Sequence, residues 1–214
     1  MIQLFMFEEP LPKTTRTVLK ALGQLPLVRK FYLTGGTALA LSYAHRKSDD
    51  LDFFSRNRFN PSVLQAKLES PFKFRLRVKE EGTLHCQLNK VNVSFLYYPY
   101  PVLRRFLSYH GVAVSDPLDI ALTKITAIAQ RGSRRDFIDL YWACHEGLTL
   151  PFLLKKFREK YGKTNYSPYH LVKSLVYFAE AEKEPVPRLL LPLSWRDVKQ
   201  FFETEVGKLN LNRL

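Results

Sequence analysis

The sequence is short of several things, and each shortage narrows what the chain can be. It has no uncharged apolar run of about 18 residues, so neither a membrane span nor a membrane partner is expected. Cysteine occurs only at Cys86 and Cys144, without CxxC or any other metal-ligand spacing. The two read as reduced, buried thiols of a cytoplasmic protein rather than as a disulfide. The histidines His45, His85, His110, His145 and His170 show no ligand spacing either, which argues against a zinc site. The first ten residues, MIQLFMFEEP, hold a short apolar patch with no basic start and acids directly behind it, the wrong pattern for a secretory signal. No internal repeat and no low-complexity segment is present.

Acidic residues are the other shortage. There are 20 Asp and Glu against 33 Lys and Arg, a formal net charge of +13 over 214 residues. The excess runs along the whole chain and is not gathered in a tail. A folded surface so charged attracts polyanions through its long-range field. RNA or DNA fits better than a membrane surface, because no amphipathic basic helix stands out; plain solubility is the simpler alternative. Hydrophobic residues make up 46% of the chain, enough for a core of ordinary size.

Periodicity and turn chemistry predict an alternation of elements in the first hundred residues. Helices are expected at 13–24, 36–44 and 60–70, the last with Asn60 as N-cap and Pro61 in its first turn. Strands are expected at 30–34, 50–54, 72–79, 83–88 and 91–98, and Pro99 and Pro101 close the sheet region. After residue 102 the pattern turns helical: 116–130, a helix after Ser133 as cap, 151–161, 168–184 and 194–207, with a proline-rich connector at 185–193. The fold class is therefore α+β, or mixed α/β, with domains at 1–101 and 102–214.

Against the scarcity of acids, Asp49, Asp50 and Asp52 crowd together before Phe53 and Phe54. On a strand, residues two apart share a face, so Asp50 and Asp52 point the same way while Leu51 and Phe53 enter the core. Two such carboxylates either lie solvated on a sheet edge or share a cation. Mg²⁺ suits the second case, since it takes one or two carboxylates and fills its shell with water and substrate phosphates. Upstream, Gly35 and Gly36 lie between a strand and a helix, where backbone without Cβ and open helix N–H groups admit a phosphate. Thr37 offers a hydroxyl donor. A tight turn requiring positive φ would also account for the glycines.

Gly35-Gly36, thirteen residues, then Asp50-Leu51-Asp52-Phe53 resembles the signature of the DNA polymerase β-like nucleotidyltransferase superfamily. Within it, LTGGTALAL followed by HRKSDDLDFF resembles the AbiEii/MenT group of toxin-type nucleotidyltransferases. The likeness continues in NVSFLYYPYPVL, in DPLDIALTKITAIAQRGSRRDFIDLY and, loosely, in SWRDVKQFF. It implies a polymerase β-like core with a mixed sheet in residues 1–101, and a helical region in 102–214 that completes the active-site cleft. It also implies transfer of a nucleoside monophosphate from an NTP to an RNA acceptor, the tRNA 3′ end above all, with Mg²⁺ or Mn²⁺ and release of pyrophosphate. A cognate antitoxin follows from the same resemblance. An NMP transferase acting on a protein hydroxyl, or a non-catalytic nucleic-acid- or partner-binding module of the same fold, are the rival readings.

The residue roles implied are specific. Asp50 and Asp52 would hold the metal, and Gly35, Gly36 and Thr37 the phosphates. Lys124, the single charge between Ile120 and Ala129, would stabilise charge on the triphosphate. Asp136 would complete the acidic centre, as general base or as the group positioning Lys124, with Asp139 a further member on the same helix face. Arg131, Arg134 and Arg135 offer phosphate contacts to nucleotide or RNA, and phosphorylation of Ser48 would set about −2 charge beside the acids. One departure stands out. Related polymerases carry a third carboxylate on a neighbouring strand, and the matching strand here, VNVSFL, has Asn92 and Ser94 on that face. Two smaller groups are weighed as well. His45-Arg46-Lys47 could contact phosphate, and Tyr97, Tyr98 and Tyr100 could stack on bases.

Overall fold

The structure is a computed structural model that describes residues 6–162, 164 and 166–209. Residues 1–5, with most of the N-terminal apolar patch, and residues 210–214 lie outside the described part. The chain divides into two compact units, Met1–Asp116 and Pro117–Leu214.

The first unit is built on a mixed seven-stranded sheet. In chain order it runs α1 (Lys13–Gly23), a 3₁₀ turn (Pro26–Lys30), β1 (Tyr32–Thr34), α2 (Gly35–Tyr43), β2 (Leu51–Ser55), α3 (Pro61–Glu69), β3 (Phe74–Glu80), β4 (Thr83–Leu88), β5 (Val91–Tyr97), β6 (Leu107–Tyr109) and β7 (Val112–Val114). The strand order is β3-β4-β5-β2-β1-β7-β6. β2 pairs parallel with β5 and β1 parallel with β7; the other neighbours are antiparallel.

Alternation along the central strands sorts side chains between two faces. Leu51 and Phe53 of β2, Leu84, Cys86 and Leu88 of β4, and Val91, Val93 and Phe95 of β5 are buried. They form one apolar face, on which the rings of Phe53 and Phe95 stack with centroids 5.2 Å apart. α3 lies against β3 and β4 and brings in Leu64 and Leu68. Its start is fixed as the sequence reading expects: Asn60 Oδ1 accepts the backbone N–H groups of Ser62 and Val63. The residues between, Asp52, His85, Gln87, Asn92 and Ser94, fall on the opposite, open face.

The helical unit comprises α4 (Pro117–Arg131), α5 (Arg134–His145), α6 (Leu150–Tyr161), α7 (Pro168–Ser174), α8 (Ala179–Lys183) and α9 (Trp195–Gly207). Phe137 of α5 sits at its centre with Phe178, Trp195 and Phe202 around it, ring centroids 5.1–5.9 Å away. α9 opens with a capping box between Ser194 and Asp197.

Three expectations need correction. The sheet does not end at Pro101: β6 and β7 follow, within the compact unit that closes at Asp116. These strands are three residues each, too short for alternation to register. The helix expected at 168–184 breaks into α7 and α8. Ser133 stands at the N-cap of α5 without capping it; its hydroxyl donates instead to Glu184, whose carboxylate also accepts the Arg134 N–H. Both cysteines are free thiols as expected; Cys86 is buried but Cys144 only half-buried, and burial pushes each up to about 12.

Candidate active site

The turn from β1 into α2 is set by Gly35, whose φ of +70° is a left-handed conformation that other residues adopt at a cost. A Cβ built there would lie 2.9 Å from Asp52 Oδ2. The glycine thus does two things: it permits the turn, and it leaves room for a carboxylate directly against the backbone. The register explains the proximity, since Thr34, the residue before Gly35, is paired with Asp52 across the antiparallel β1–β2 ladder. The double-glycine turn and the acidic motif, separated in sequence, meet because β2 returns beside β1.

Asp50 lies one residue before β2 and is exposed. It flanks the fully buried Leu51 on the same side as Asp52. Two polar rows then cross the open face. In one, Asn92 donates its amide N–H to Asp50 Oδ1 at 3.0 Å, and Asn92 Oδ1 accepts from Gln87 at 2.9 Å. In the other, Ser94 is in register with Asp52 on β2 and with His85 on β4, and the His85 Nδ1 to Ser94 Oγ distance is 2.9 Å. The positions where a third carboxylate was looked for are therefore occupied by an amide that orients Asp50 and a hydroxyl beside Asp52.

Thr37 departs from its expected role as a phosphate donor. It is 1% exposed, and its hydroxyl hydrogen-bonds the Asp50 carbonyl and, at 2.7 Å, Ser48 Oγ. It ties the loop carrying the acids to α2. Ser48 shares that bond and is half-buried. His45 and Arg46 are buried, Arg46 donating to the Lys47 carbonyl at 3.0 Å, and Lys47 donates to the Glu9 carbonyl. This segment packs the loop. Tyr98 lies between Phe54 and Tyr100, centroids 4.4 and 4.8 Å away, so the tyrosines pack the sheet end.

The helical unit gathers the other expected residues. Lys124 Nζ lies 2.8 Å from Asp136 Oδ1 and 2.7 Å from Asp139 Oδ2, all three buried. Arg131 clasps Asp136 with two bonds, Nε to Oδ2 at 2.8 Å and Nη2 to Oδ1 at 3.1 Å. Burial alone would raise the Asp136 carboxyl, but the charge of Lys124 and the Arg131 fork outweigh it and hold the group below the usual carboxylate range. The three arginines do not form one cluster. Arg134 is buried, bonded to the Ala181 and Glu182 carbonyls and placed over the Trp195 ring, while Arg135 is exposed.

The carboxylates of Asp50 and Asp52 suit a hard divalent ion. Among the described residues no group of three or more His, Cys, Asp and Glu side chains could cage a metal. Mg²⁺ or Mn²⁺ would complete its shell with substrate phosphate and water, the chemistry that a two-carboxylate set serves. No described helix is long and apolar enough to cross a membrane. His85 is the residue that sequence reading passed over. It was weighed only as a zinc ligand; the signal that could have found it is its alternation with Cys86 on a strand next to VNVSFL.

Comparison with known proteins bears on the whole chain. An uncharacterized protein of Aquifex aeolicus (strain VF5) is 36% identical over 201 residues, 92% of this chain and 96% of that one. Among solved structures, the nucleotidyltransferase toxin MenT4 of Mycobacterium tuberculosis H37Rv is similar with a TM-score of 0.58 at 16% identity, covering 92% of this chain and 85% of that one. JHP933 of Helicobacter pylori is similar with a TM-score of 0.52 at 20% identity, covering 91% and 88%. At such identities these are likenesses of fold, and the fold is the polymerase β-like nucleotidyltransferase one. The family described as the nucleotidyl transferase AbiEii toxin of a type IV toxin–antitoxin system matches residues 17–94 and 97–208, so both the glycine–aspartate face and the lysine–aspartate helices fall within it, and the chain belongs to that family.

Proposed function

We propose that the open face of the sheet binds an NTP and transfers its nucleoside monophosphate to the hydroxyl of an RNA, the tRNA 3′ end above all, in the cytoplasm. The observation that supports this most is the seat of Asp52 against the Gly35 turn. The turn and the Asp52 carboxylate lie against each other, so a triphosphate held by the turn would meet that carboxylate. Asp50 and Asp52 would hold Mg²⁺ or Mn²⁺, which when bound offsets triphosphate charge and favours in-line displacement of pyrophosphate.

The chain's own residues do the rest. Gly35 and Gly36 present backbone N–H groups at the start of α2 to phosphate oxygens. Asn92 fixes the Asp50 carboxylate by donating to its Oδ1. Thr37 and Ser48 hold the loop on which Asp50 rides. Within the helical unit, Asp136 and Asp139 hold the Lys124 ammonium in place. With Lys124 and Arg131 both on its oxygens, Asp136 is stabilised as an anion and is a poor proton acceptor. The net charge of +13 draws a polyanionic acceptor. As a toxin of this kind, the protein would be restrained by a cognate antitoxin.

The test is transfer of label from α-labelled NTPs with Mg²⁺ and total tRNA, with Asp52→Asn as control. Metal-dependent label on tRNA, lost in the variant, is the expected result. Label on protein instead would move the acceptor to a protein hydroxyl. Tight RNA binding with no transfer, indifferent to Asp52→Asn, would reduce the protein to a binding module.

A further inference from the structure

We propose that His85 is the proton acceptor of the transfer, acting through Ser94; this rests on the nucleotidyl transfer proposed above. An attacking hydroxyl must lose its proton as its oxygen bonds to the α-phosphorus. Three groups that might take it are committed elsewhere. Asp50 and Asp52 serve the cation, and Asp136 is held as an anion by two cationic partners. On β4 and β5 the open face carries Thr83, His85, Gln87, Asn92, Ser94 and Leu96, and among them His85 carries the one basic ring nitrogen.

Its placement fits the task. Ser94 is the in-register neighbour of Asp52 on the parallel β2–β5 ladder, so their side chains stand side by side, about 5 Å apart at the backbone. His85 Nδ1 is 2.9 Å from Ser94 Oγ. The serine hydroxyl is thus interposed between the imidazole and the carboxylate at the glycine turn. Across the β3–β4 ladder Val78 is paired with His85, Arg77 stands in the bulge beside it, and Arg75 is paired with Gln87 in the adjacent row. The relay balances. The acceptor O–H bond breaks and its oxygen bonds to phosphorus, while the bond from phosphorus to the pyrophosphate oxygen breaks. The released proton passes to Ser94 Oγ as the serine proton passes to His85 Nδ1. The imidazolium returns its proton to solvent or to pyrophosphate. His85 is therefore a positioning residue, doing through a serine what a strand carboxylate does directly in related polymerases.

The relay requires Nδ1 bare and the proton on Nε2, with Ser94 donating. A merely structural cross-strand bond, like that of Gln87 to Asn92 beside it, is satisfied by either direction. Two measurements separate these. In ¹⁵N-histidine spectra of the metal-free protein, His85 should be the Nε2–H tautomer; an Nδ1–H tautomer overturns the proposal. In the label-transfer assay, His85→Ala should lower kcat about a hundredfold with the NTP KM unchanged. Imidazole should restore part of that loss. His85→Gln, which keeps a cross-strand hydrogen bond and should keep the unfolding midpoint, should stay slow. Wild-type kcat in His85→Gln, or a His85→Ala loss that imidazole does not touch, sinks the relay while transfer itself stands. A wild-type protein that labels no acceptor at all sinks both, and label on protein instead of RNA leaves the relay intact but moves the acceptor.

Discussion

The acids of the sheet unit and the acids of the helical unit are held by opposite means. Asp50 and Asp52 lie at an open face, where Asn92 bonds Asp50 and the Gly35 turn backs Asp52. Asp136 and Asp139 are buried at 0% exposure and closed over by Lys124, with Arg131 added on Asp136. Each sequence pair reads as two nearby carboxylates. One pair lies on the open face of a sheet; the other is buried and paired with lysine and arginine between helices. The difference shows that spacing alone does not reveal whether a carboxylate pair lies on an open face or is buried among cations.

The contrast predicts opposite consequences of mutation. Asp52→Asn should lower nucleotide transfer by on the order of a thousandfold, the several kcal/mol that a metal-assisted site supplies. Its unfolding free energy in urea should move little, and that of Asp50→Asn, at an exposed position, by less than about 0.5 kcal/mol. A large stability loss in either would erase the contrast. Lys124→Met should do the reverse in unfolding, costing about 3–5 kcal/mol, because two buried carboxylates lose their shared cation. A variant with normal stability would show that the helical cluster is open after all.

Gly35→Ala sharpens the comparison from the backbone side. The left-handed φ should cost about 1–2 kcal/mol. The new methyl would also meet Asp52 Oδ2, so transfer should fall by more than stability explains. Equal losses in both would mean that the turn does not shape the carboxylate site.

The smallest effect concerns a third cluster, exposed and in the sheet unit. Glu8 is bonded by His110, Arg16 and Tyr109, and these hold its carboxyl down at about 2 against an ordinary 4.5. A carboxyl depressed by folding contributes stability above its ordinary value, and loses that contribution as pH falls from about 4.5 toward 2. At 39% side-chain exposure the contribution should be under about 1 kcal/mol, since solvent screens such pairs. Thermal unfolding of Glu8→Gln should be flatter than wild type across that window; identical slopes would remove Glu8 from the account.

Much of this was legible beforehand where one local rule governed. Asn60 with Pro61 announced the start of α3, and the alternation of TLHCQL and VNVSFLYY announced β4 and β5. Asp50 and Asp52 on one side of Leu51 followed from strand period. Legibility failed where the deciding partner is remote in sequence. Thr37 looked like a donor for phosphate until the loop at 48–50 folded onto its hydroxyl. Arg134 looked like a member of a basic cluster until Trp195 and the end of α8 received it. His85 looked like an isolated histidine until Ser94 arrived across the ladder.

The sequence by itself determined which residues alternate and where many helices and strands begin, because these depend on neighbours within a few residues. Only the tertiary structure decided which charges are compensated. Hydrogen bonds and ion pairs act over about 3 Å, and the partners that satisfy Asp136 or orient Asp50 come from other strands and turns of helix, brought within that range by packing alone.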